Sequence, residues 1–159
     1  MPPAMPERFH WILEGQLAGM SQPGLFAELT EDLRALKEAG VGAVATLTEY
    51  ELPQKFLQAE GLVGRHFPID DFSVPTVKQT HEFCDWVDEQ LDGGRSVAAH
   101  CYAGLGRTGT MIACYLVYVG GTTREVLEQI RRKEPGYVQT PAQEAFIAVW
   151  ESHLVDEEG

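Results

Sequence analysis

The sequence predicts a single α/β domain with a small, mostly parallel central sheet flanked by helices. Three observations predict it. A chain of 159 residues matches the size of one domain. Strand-like and helix-like segments alternate along most of the chain before it ends in three helical segments. The composition, 44% apolar and 23% charged, is that of a globular protein that can bury a core without disulfide or metal staples. No internal repeat, linker or low-complexity segment interrupts the order, so residues 1–159 read as one domain.

The elements follow from periodicity and punctuation. "FHWI" and "QLAGM" are short apolar runs before a Ser-Gln-Pro-Gly turn and read as opening strands. Thr30 precedes "EDLRALKEAG", a helix with Leu33, Leu36 and Ala39 on one face, acids early and Gly40 as its stop. "VGAVATL" (41–47) is a near-continuous apolar run of strand length. A short helix, "LPQKFLQAEG", ends at Gly61, and "LVGRHFPI" (62–69) alternates as a strand. "DDFSVPT" is a loop. The helix after it carries an apolar stripe of Val77, Phe83, Trp86, Val87 and Leu91. "RSVAAH" is a buried strand, and "RTGTMIACYLVYVGG" is apolar nearly all round, hence a central helix. Thr122 with Glu125 forms a capping box for the next helix, and Thr140-Pro141 opens the last.

Charge and cysteine usage narrow the class. Twelve basic against twenty-four acidic side chains give a net charge of −12, which excludes nucleic acid or an anionic membrane as the main partner. The three cysteines, Cys84, Cys101 and Cys114, are odd in number and lack Cys-x-x-Cys spacing, as in a protein of a reducing compartment. The start "MPPAMPERFHWIL" has no basic region followed by a long apolar run, so no signal peptide is expected. The longest apolar stretch, 111–119, is too short to span a bilayer. A soluble, cytoplasmic protein is the expectation.

The stretch "HCYAGLGRTGT" admits two readings. From Gly104 it is Gly-x-Gly-x-x-Gly, the dinucleotide-binding fingerprint; from Cys101 it is a cysteine, five residues and an arginine. The fingerprint requires a second strand ending in an acid about 20 residues on. Glu125 and Glu128 instead lie inside a helix with no strand after it, so the nucleotide reading fails. The cysteine reading gains from its neighbours. Converging backbone N–H groups, a helix N-terminus and Arg107 all favour a thiolate, and such placements bring a thiol from about 8.5 into the range of roughly 3.5–7.5. The same amides would cradle a phosphate dianion. Gly104, Gly106 and Gly109 permit a tight curl and close approach. Arg107 offers a planar fork for two phosphate oxygens, and the Thr108 hydroxyl would stabilise the sulfur as a leaving group.

These residues resemble the His-Cys-x5-Arg-[Ser/Thr] signature of the cysteine-dependent protein tyrosine phosphatases. "FPIDDFSVP" stands where that family keeps its mobile aspartate loop, and "GYVQTPAQEAFI" is similar to its glutamine loop. The opening "FHWILEGQLAGMSQP", the length and the motif order look most like the small atypical dual-specificity phosphatases. The resemblance implies a phosphatase-type loop between a strand and a buried helix. It implies Cys101 as nucleophile forming a phosphocysteine, His100 as its orienting residue, and Arg107 as phosphate clamp. Tyr102, Ala103, Gly104, Leu105 and Gly106 would complete the phosphate-binding loop. Asp71, directly before the bulky Phe72, would be general acid and then base, with Asp70 as the alternative. Gln139 and Gln143 would position the hydrolytic water, although Thr140-x-x-Gln143 is equally a capping box.

Departures inside the loop bear on substrate. Phosphoinositide-specific relatives carry lysines where this chain has Tyr102 and Leu105, which disfavours a polyphosphorylated inositol head. Relatives acting on RNA 5′ ends carry His where Ala103 stands. No long phosphotyrosine-recognition segment is present, so a shallow pocket with Tyr102 at its rim would admit phosphotyrosine and aryl phosphates, with phosphoserine and phosphothreonine open. The expected partner is a phosphorylated protein or aryl phosphate, met by a monomer without cofactor. The alternative is a phospho-ligand-binding module without turnover. Cys84 and Cys114 fall on apolar helix faces as core residues. His10, His66, His81 and His153 lack ligand-like spacing and read as surface or satisfied histidines, with no metal site. "RRKE" (131–134) places cations at a helix C-terminus, with substrate docking as a second reading.

Overall fold

The computed structural model describes residues 4–158; the first three residues of the opening segment and the last of the predicted domain lie outside it. The chain forms β1 (His10–Leu13), β2 (Leu17–Met20), α1 (Leu29–Glu38), β3 (Val41–Thr46), α2 (Gln54–Ala59) and β4 (Val63–His66). It continues as α3 (Val77–Asp92), β5 (Ser96–His100), α4 (Gly106–Tyr118), α5 (Thr123–Lys133) and α6 (Pro141–Glu158). The five-stranded sheet has the order β1-β2-β5-β3-β4. Only the β1–β2 hairpin is antiparallel; β2, β5, β3 and β4 run parallel. The predicted small, mostly parallel sheet is therefore present.

The sheet separates two apolar layers. Val97, Ala99, Ala43 and Ala45 face α3–α6, while Ala98, Val44, Ala18 and Met20 face α1 and α2. Alternate residues thus point to opposite faces, and because helices cover both, the central strands read as unbroken apolar runs. The two outer strands are thinner in apolar residues and partly exposed.

Several boundaries differ from the periodicity, each for a local reason. Helix α1 begins at Leu29 after Glu28, so Thr30 is not its cap; the Asp32 carboxylate turns back to accept from the Gly24 amide at 2.7 Å. Its buried face is Leu33, Ala35 and Leu36, whereas Ala39 lies exposed at the C-cap before Gly40 at φ +100°. Strand β4 stops at His66 instead of Ile69. The Phe67 and Ile69 amides still bond to Thr46 and Leu47, but Pro68 between them has no N–H to continue a ladder.

Helix α4 is the hub. Every residue from Gly106 to Val117 is buried. It packs against α3, α5, α6 and the sheet, as a helix apolar on all sides must. Trp150 of α6 is fully buried and donates its indole N–H to the Cys114 carbonyl at 2.9 Å, locking the last helix onto the hub. The Thr122/Glu125 capping box starts α5 as predicted. Among the described residues no helix is long and apolar enough to cross a membrane. Replacing Trp150 by Ala should cost about 3–5 kcal/mol of stability, through lost burial and an orphaned carbonyl, measurable by urea denaturation.

Candidate active site

The parallel strands end at one edge, where their carboxyl termini leave a crevice. In the last row of the sheet Met20 and Thr46 flank His100 on either side, and His66 stands beyond Thr46. His100 is fully buried. Its Nδ1 lies 3.1 Å from the Cys101 carbonyl, which can only accept, so Nδ1 carries the proton. Its Nε2, 2.8 Å from Thr46 Oγ1, is then the acceptor. Burial holds this imidazole neutral, with its pKa lowered to about 4; the nearby Arg107 charge acts in the same direction. Both ring nitrogens are thus committed to hydrogen bonds.

Residues 101–105 form the connection from β5 to α4. The Tyr102 carbonyl accepts from the Gln22 amide (3.0 Å), the Ala103 carbonyl from Arg8 Nη1 (3.2 Å), and the Leu105 carbonyl from the Gly109 and Val138 amides (3.0 and 3.1 Å). Each trans peptide points its N–H opposite to its C=O. Anchoring the carbonyls outward therefore turns the next amides inward, at the open end of a helix whose first N–H groups lack partners. One glycine is required by contact: Gly104 has φ +79°, and a Cβ there would lie 2.6 Å from the Met20 backbone. At Gly106 a Cβ would lie 2.6 Å from Gln139 Oε1, the end of an exposed side chain. Cys101 opens the loop, 3% exposed, and its sulfur accepts from the Thr108 hydroxyl at 3.0 Å.

Arg107, at the start of α4, joins this loop to two others. It is buried, donating through Nη1 to the Ile69 carbonyl (2.9 Å) and to Glu49 Oε1 (2.5 Å), with Nη2 3.3 Å from Asp71 Oδ1. Its Nε is buried with no partner. Asp71 itself is half exposed and accepts from the amide of Phe72, which adopts φ +60°. The structure thus brings Asp71 to the guanidinium, whereas Asp70 is exposed and its carbonyl accepts from the Ser73 amide. The Glu49 carboxyl is held below the ordinary carboxylate range, first by its own backbone amide and then by Arg107.

The two glutamines divide. Gln143 is fully buried: its Oε1 accepts from the Gln139 and Thr140 amides (2.9 and 3.2 Å), and its Nε2 donates to the Ser73 carbonyl at 3.2 Å. The Thr140 hydroxyl accepts from the Gln143 amide, so the capping box is formed. Gln139 is exposed, with its Oε1 over Gly106. A cleft of about 500 Å³ opens above Arg107, with Tyr102, Tyr50, Glu49, Asp71 and Gln22 in its wall.

Some site features left no sequence signal strong enough to single them out. Glu49, Thr46 and the Ile69 carbonyl were not among the sequence candidates. The position of Glu49 just beyond a parallel strand's carboxyl end was the available clue. Cys84 and Cys114 are buried in the core, and burial pushes both thiols well above their ordinary range. Arg131 donates to the Tyr137 and Val138 carbonyls (3.0 and 3.1 Å), so it clasps the segment before α6 instead of facing solvent as a docking cation. The histidine expectation needs one correction: His81 and His153 are not independent but converge with Glu157 on one point. Seventy-two residues separate the two histidines, so no local spacing reveals them.

A family model described as "Polymorphic toxin system, DSP-PTPase phosphatase" matches residues 18–121, from β2 through the end of α4. The phosphatidylinositol 3,4,5-trisphosphate 3-phosphatase and protein-tyrosine-phosphatase PTEN1 of Arabidopsis thaliana is 38% identical over 93 residues, 55% of this chain and 23% of that protein. The tyrosine-protein phosphatase CDC14 of Candida albicans is 37% identical over 121 residues, 76% of this chain and 22% of that one. The chain therefore spans about a quarter or less of these relatives. Among solved structures, Tk-PTP in its active form is 33% identical, with a TM-score of 0.81 covering 91% of this chain and 97% of that one. PTPMT1 in complex with PI(5)P shares the fold at 22% identity, with a TM-score of 0.83 over 96% of this chain and 100% of that one.

The buried His100 generates a stability prediction. In the unfolded chain it takes up a proton near pH 6.5, in the folded protein only near 4. The unfolded state binds more protons between these values, so stability is full above about pH 6.5 and declines as pH falls to about 4, by roughly 3 kcal/mol. Denaturant unfolding of the wild type and His100→Gln from pH 4 to 7 should show a shallower decline in the variant.

Proposed function

The chain belongs to the cysteine-based family of protein tyrosine and dual-specificity phosphatases, and on that premise we propose that it hydrolyses phosphate monoesters through a phosphocysteine intermediate. One observation carries the reading: the buried Cys101 sulfur accepts from the Thr108 hydroxyl, and the residue before Thr108 is a buried Arg107 whose Nε has no partner. An anion bound over the sulfur would supply the missing acceptor and meet the inward N–H groups of residues 102–106.

The chemistry then runs in two steps. Cys101 Sγ attacks phosphorus while the ester oxygen leaves, protonated by the Asp71 carboxyl. Arg107 and the loop amides take up the charge on the equatorial oxygens. In the second step Asp71, now a carboxylate, removes a proton from water as the water oxygen bonds to phosphorus, the P–S bond breaks, and the thiolate leaves toward the Thr108 hydroxyl while inorganic phosphate is released. His100 orients Cys101 through its carbonyl. With both ends of its amide committed, Gln143 holds the loop in place, and Gln139, exposed above Gly106, orients the water.

The wall of the cleft supports a substrate with one phosphate on an aromatic or otherwise uncharged group. Among the described residues Arg107 is the only cation lining it, against the carboxylates of Glu49, Glu51 and Asp71. A polyphosphorylated head would meet those carboxylates without further cations. Tyr102 and Tyr50, both well exposed, offer faces for a phosphotyrosine ring. Phosphoserine and phosphothreonine peptides are the next class, the cleft being open.

Three outcomes check this. Cys101→Ser should reduce hydrolysis of an aryl phosphate to the buffer rate while still binding the ligand; equal turnover would overturn the nucleophile. Asp71→Asn should lower kcat by about 10²–10⁴-fold and remove the basic limb of the pH–rate profile, whereas an unchanged limb would move the acid to Asp70. In a panel of phosphopeptides and phosphoinositides, phosphotyrosine peptides should give the highest kcat/KM, and preference for a trisphosphorylated inositol head would reverse the substrate reading.

A further inference from the structure

Away from the cleft, three metal-ligating atoms converge at the seam between α3 and α6. His81 Nε2 lies 3.1 Å from His153 Nε2, and Glu157 Oε1 lies 3.3 Å from the first and 3.2 Å from the second. The triangle is nearly equilateral. A tetrahedral zinc ion with bonds of about 2.0–2.1 Å separates its ligand atoms by about 3.3–3.4 Å, which is the size of this triangle. Among the described residues this is the one group of three such side chains that meets on a point. We propose that His81, His153 and Glu157 bind a zinc-class divalent transition-metal ion, which clips the C-terminal turns of α6 to α3.

The surroundings fit a site set before the ion arrives. Trp150, fully buried and fixed through its indole N–H to the Cys114 carbonyl, forms a wall beside both rings. The His81 ring meets it edge-on at 4.7 Å, and the His153 ring stacks on it at 5.9 Å with 18° between planes. Both imidazoles are thus aligned by packing as well as by each other, which lowers the ordering cost of ligation. His153 and Glu157 lie one helical turn apart, so α6 presents both from one face.

Charge and donor type select the ligand. Without an ion, each imidazole can donate an Nε2–H to Glu157 Oε1, but the two Nε2 atoms 3.1 Å apart are then both donors facing each other. A divalent cation meets them together. Two imidazoles and a carboxylate suit zinc, cobalt(II), nickel or copper, whereas magnesium and calcium require more oxygen ligands than the one carboxylate supplies. The negative end of the α6 dipole and the net charge of −12 both attract a cation. The side chains are 29%, 35% and 49% exposed, so the fourth position opens to water.

The test uses Cys101→Ser protein, because the cleft sulfur would itself take up zinc. After chelator treatment, zinc chloride alone should titrate to one ion per chain. At a free concentration 100-fold above Kd it should raise the thermal midpoint by about 5–10 °C, and magnesium should not. Cobalt(II) should give the intense visible absorption of a four-coordinate site. His153→Ala and Glu157→Gln, made separately in that background, should each weaken zinc binding at least about tenfold and abolish the cobalt band. In the wild-type background with chelator, both changes should leave phosphatase turnover unaltered, which shows that the fold survives. Absence of any zinc-dependent midpoint shift, or an equal shift and affinity in both variants, would overturn the proposal.

Discussion

A buried guanidinium organises the catalytic edge of this protein. An ion taken out of water costs several kcal/mol unless its donors are met, and Arg107 is almost fully enclosed. Its partners come from separate parts of the chain: the Ile69 carbonyl and Asp71 from the loop after β4, and Glu49 from the connection after β3. The backbone of Arg107 belongs to the first turn of α4. Three loops that no secondary structure holds together are thus tied by one side chain. The tie is incomplete at Nε, which faces no acceptor. An oxyanion at the loop would complete it, so the resting arrangement is one atom short of satisfied, on the side where substrate would bind.

The second constraint is the burial of α4 itself. A helix that is apolar nearly all round belongs in the centre of the domain, yet its N-terminus carries N–H groups that no residue of the helix can satisfy. The chain resolves the conflict by letting that terminus open at the sheet's edge. The Leu105 carbonyl, held by the Gly109 and Val138 amides, fixes where the loop becomes helix. Gly109 permits this approach, since a Cβ there would lie 2.8 Å from the Val138 nitrogen. The glutamine segment is therefore packed directly on the loop. Gln143 extends the same assembly to the Ser73 carbonyl, in the loop that carries Asp71.

Much of the fold was legible because its signals are local or periodic. The apolar runs of β3 and β5, the Thr122 capping box and the all-apolar α4 each declare themselves within a dozen residues. So did the loop: Cys101, Arg107, Thr108 and three glycines lie within nine positions. What escaped was long-range. The role of Glu49 depends on a partner 58 residues away, and Thr46 becomes significant only because the sheet register sets it beside His100. Gln143 offered two readings from sequence, and its burial favours the structural one. His81 and His153 failed for the same reason as Glu49, since α3 and α6 meet only in the folded molecule. Thr30 erred differently: a plausible cap residue lost to a helix that starts one residue earlier, with Asp32 bonded back to Gly24.

To hold a phosphate dianion, as proposed, a protein of net charge −12 would have to separate local field from global field. At physiological salt, charges beyond about 8 Å are largely screened, so most of the acidic surface contributes little at the loop. Near the loop the positive terms are Arg107, the α4 N-terminus and Arg8, whose Nη1 is 3.2 Å from the Ala103 carbonyl; the buried Arg107 and the helix end count for more than the half-exposed Arg8. The nearest carboxylates, Glu49 and Asp71, are spent on Arg107 in the empty site. Their arrangement sets a limit on substrate charge. One dianion can displace their hold on the guanidinium and gain the amides in exchange. A second phosphate on the same molecule would find no such exchange, because Glu49, Glu51 and Asp71 ring the opening. On the proposed function, the acidity of this cleft is compatible with phosphate chemistry and would discriminate by charge number, against a polyphosphate and for a monophosphate.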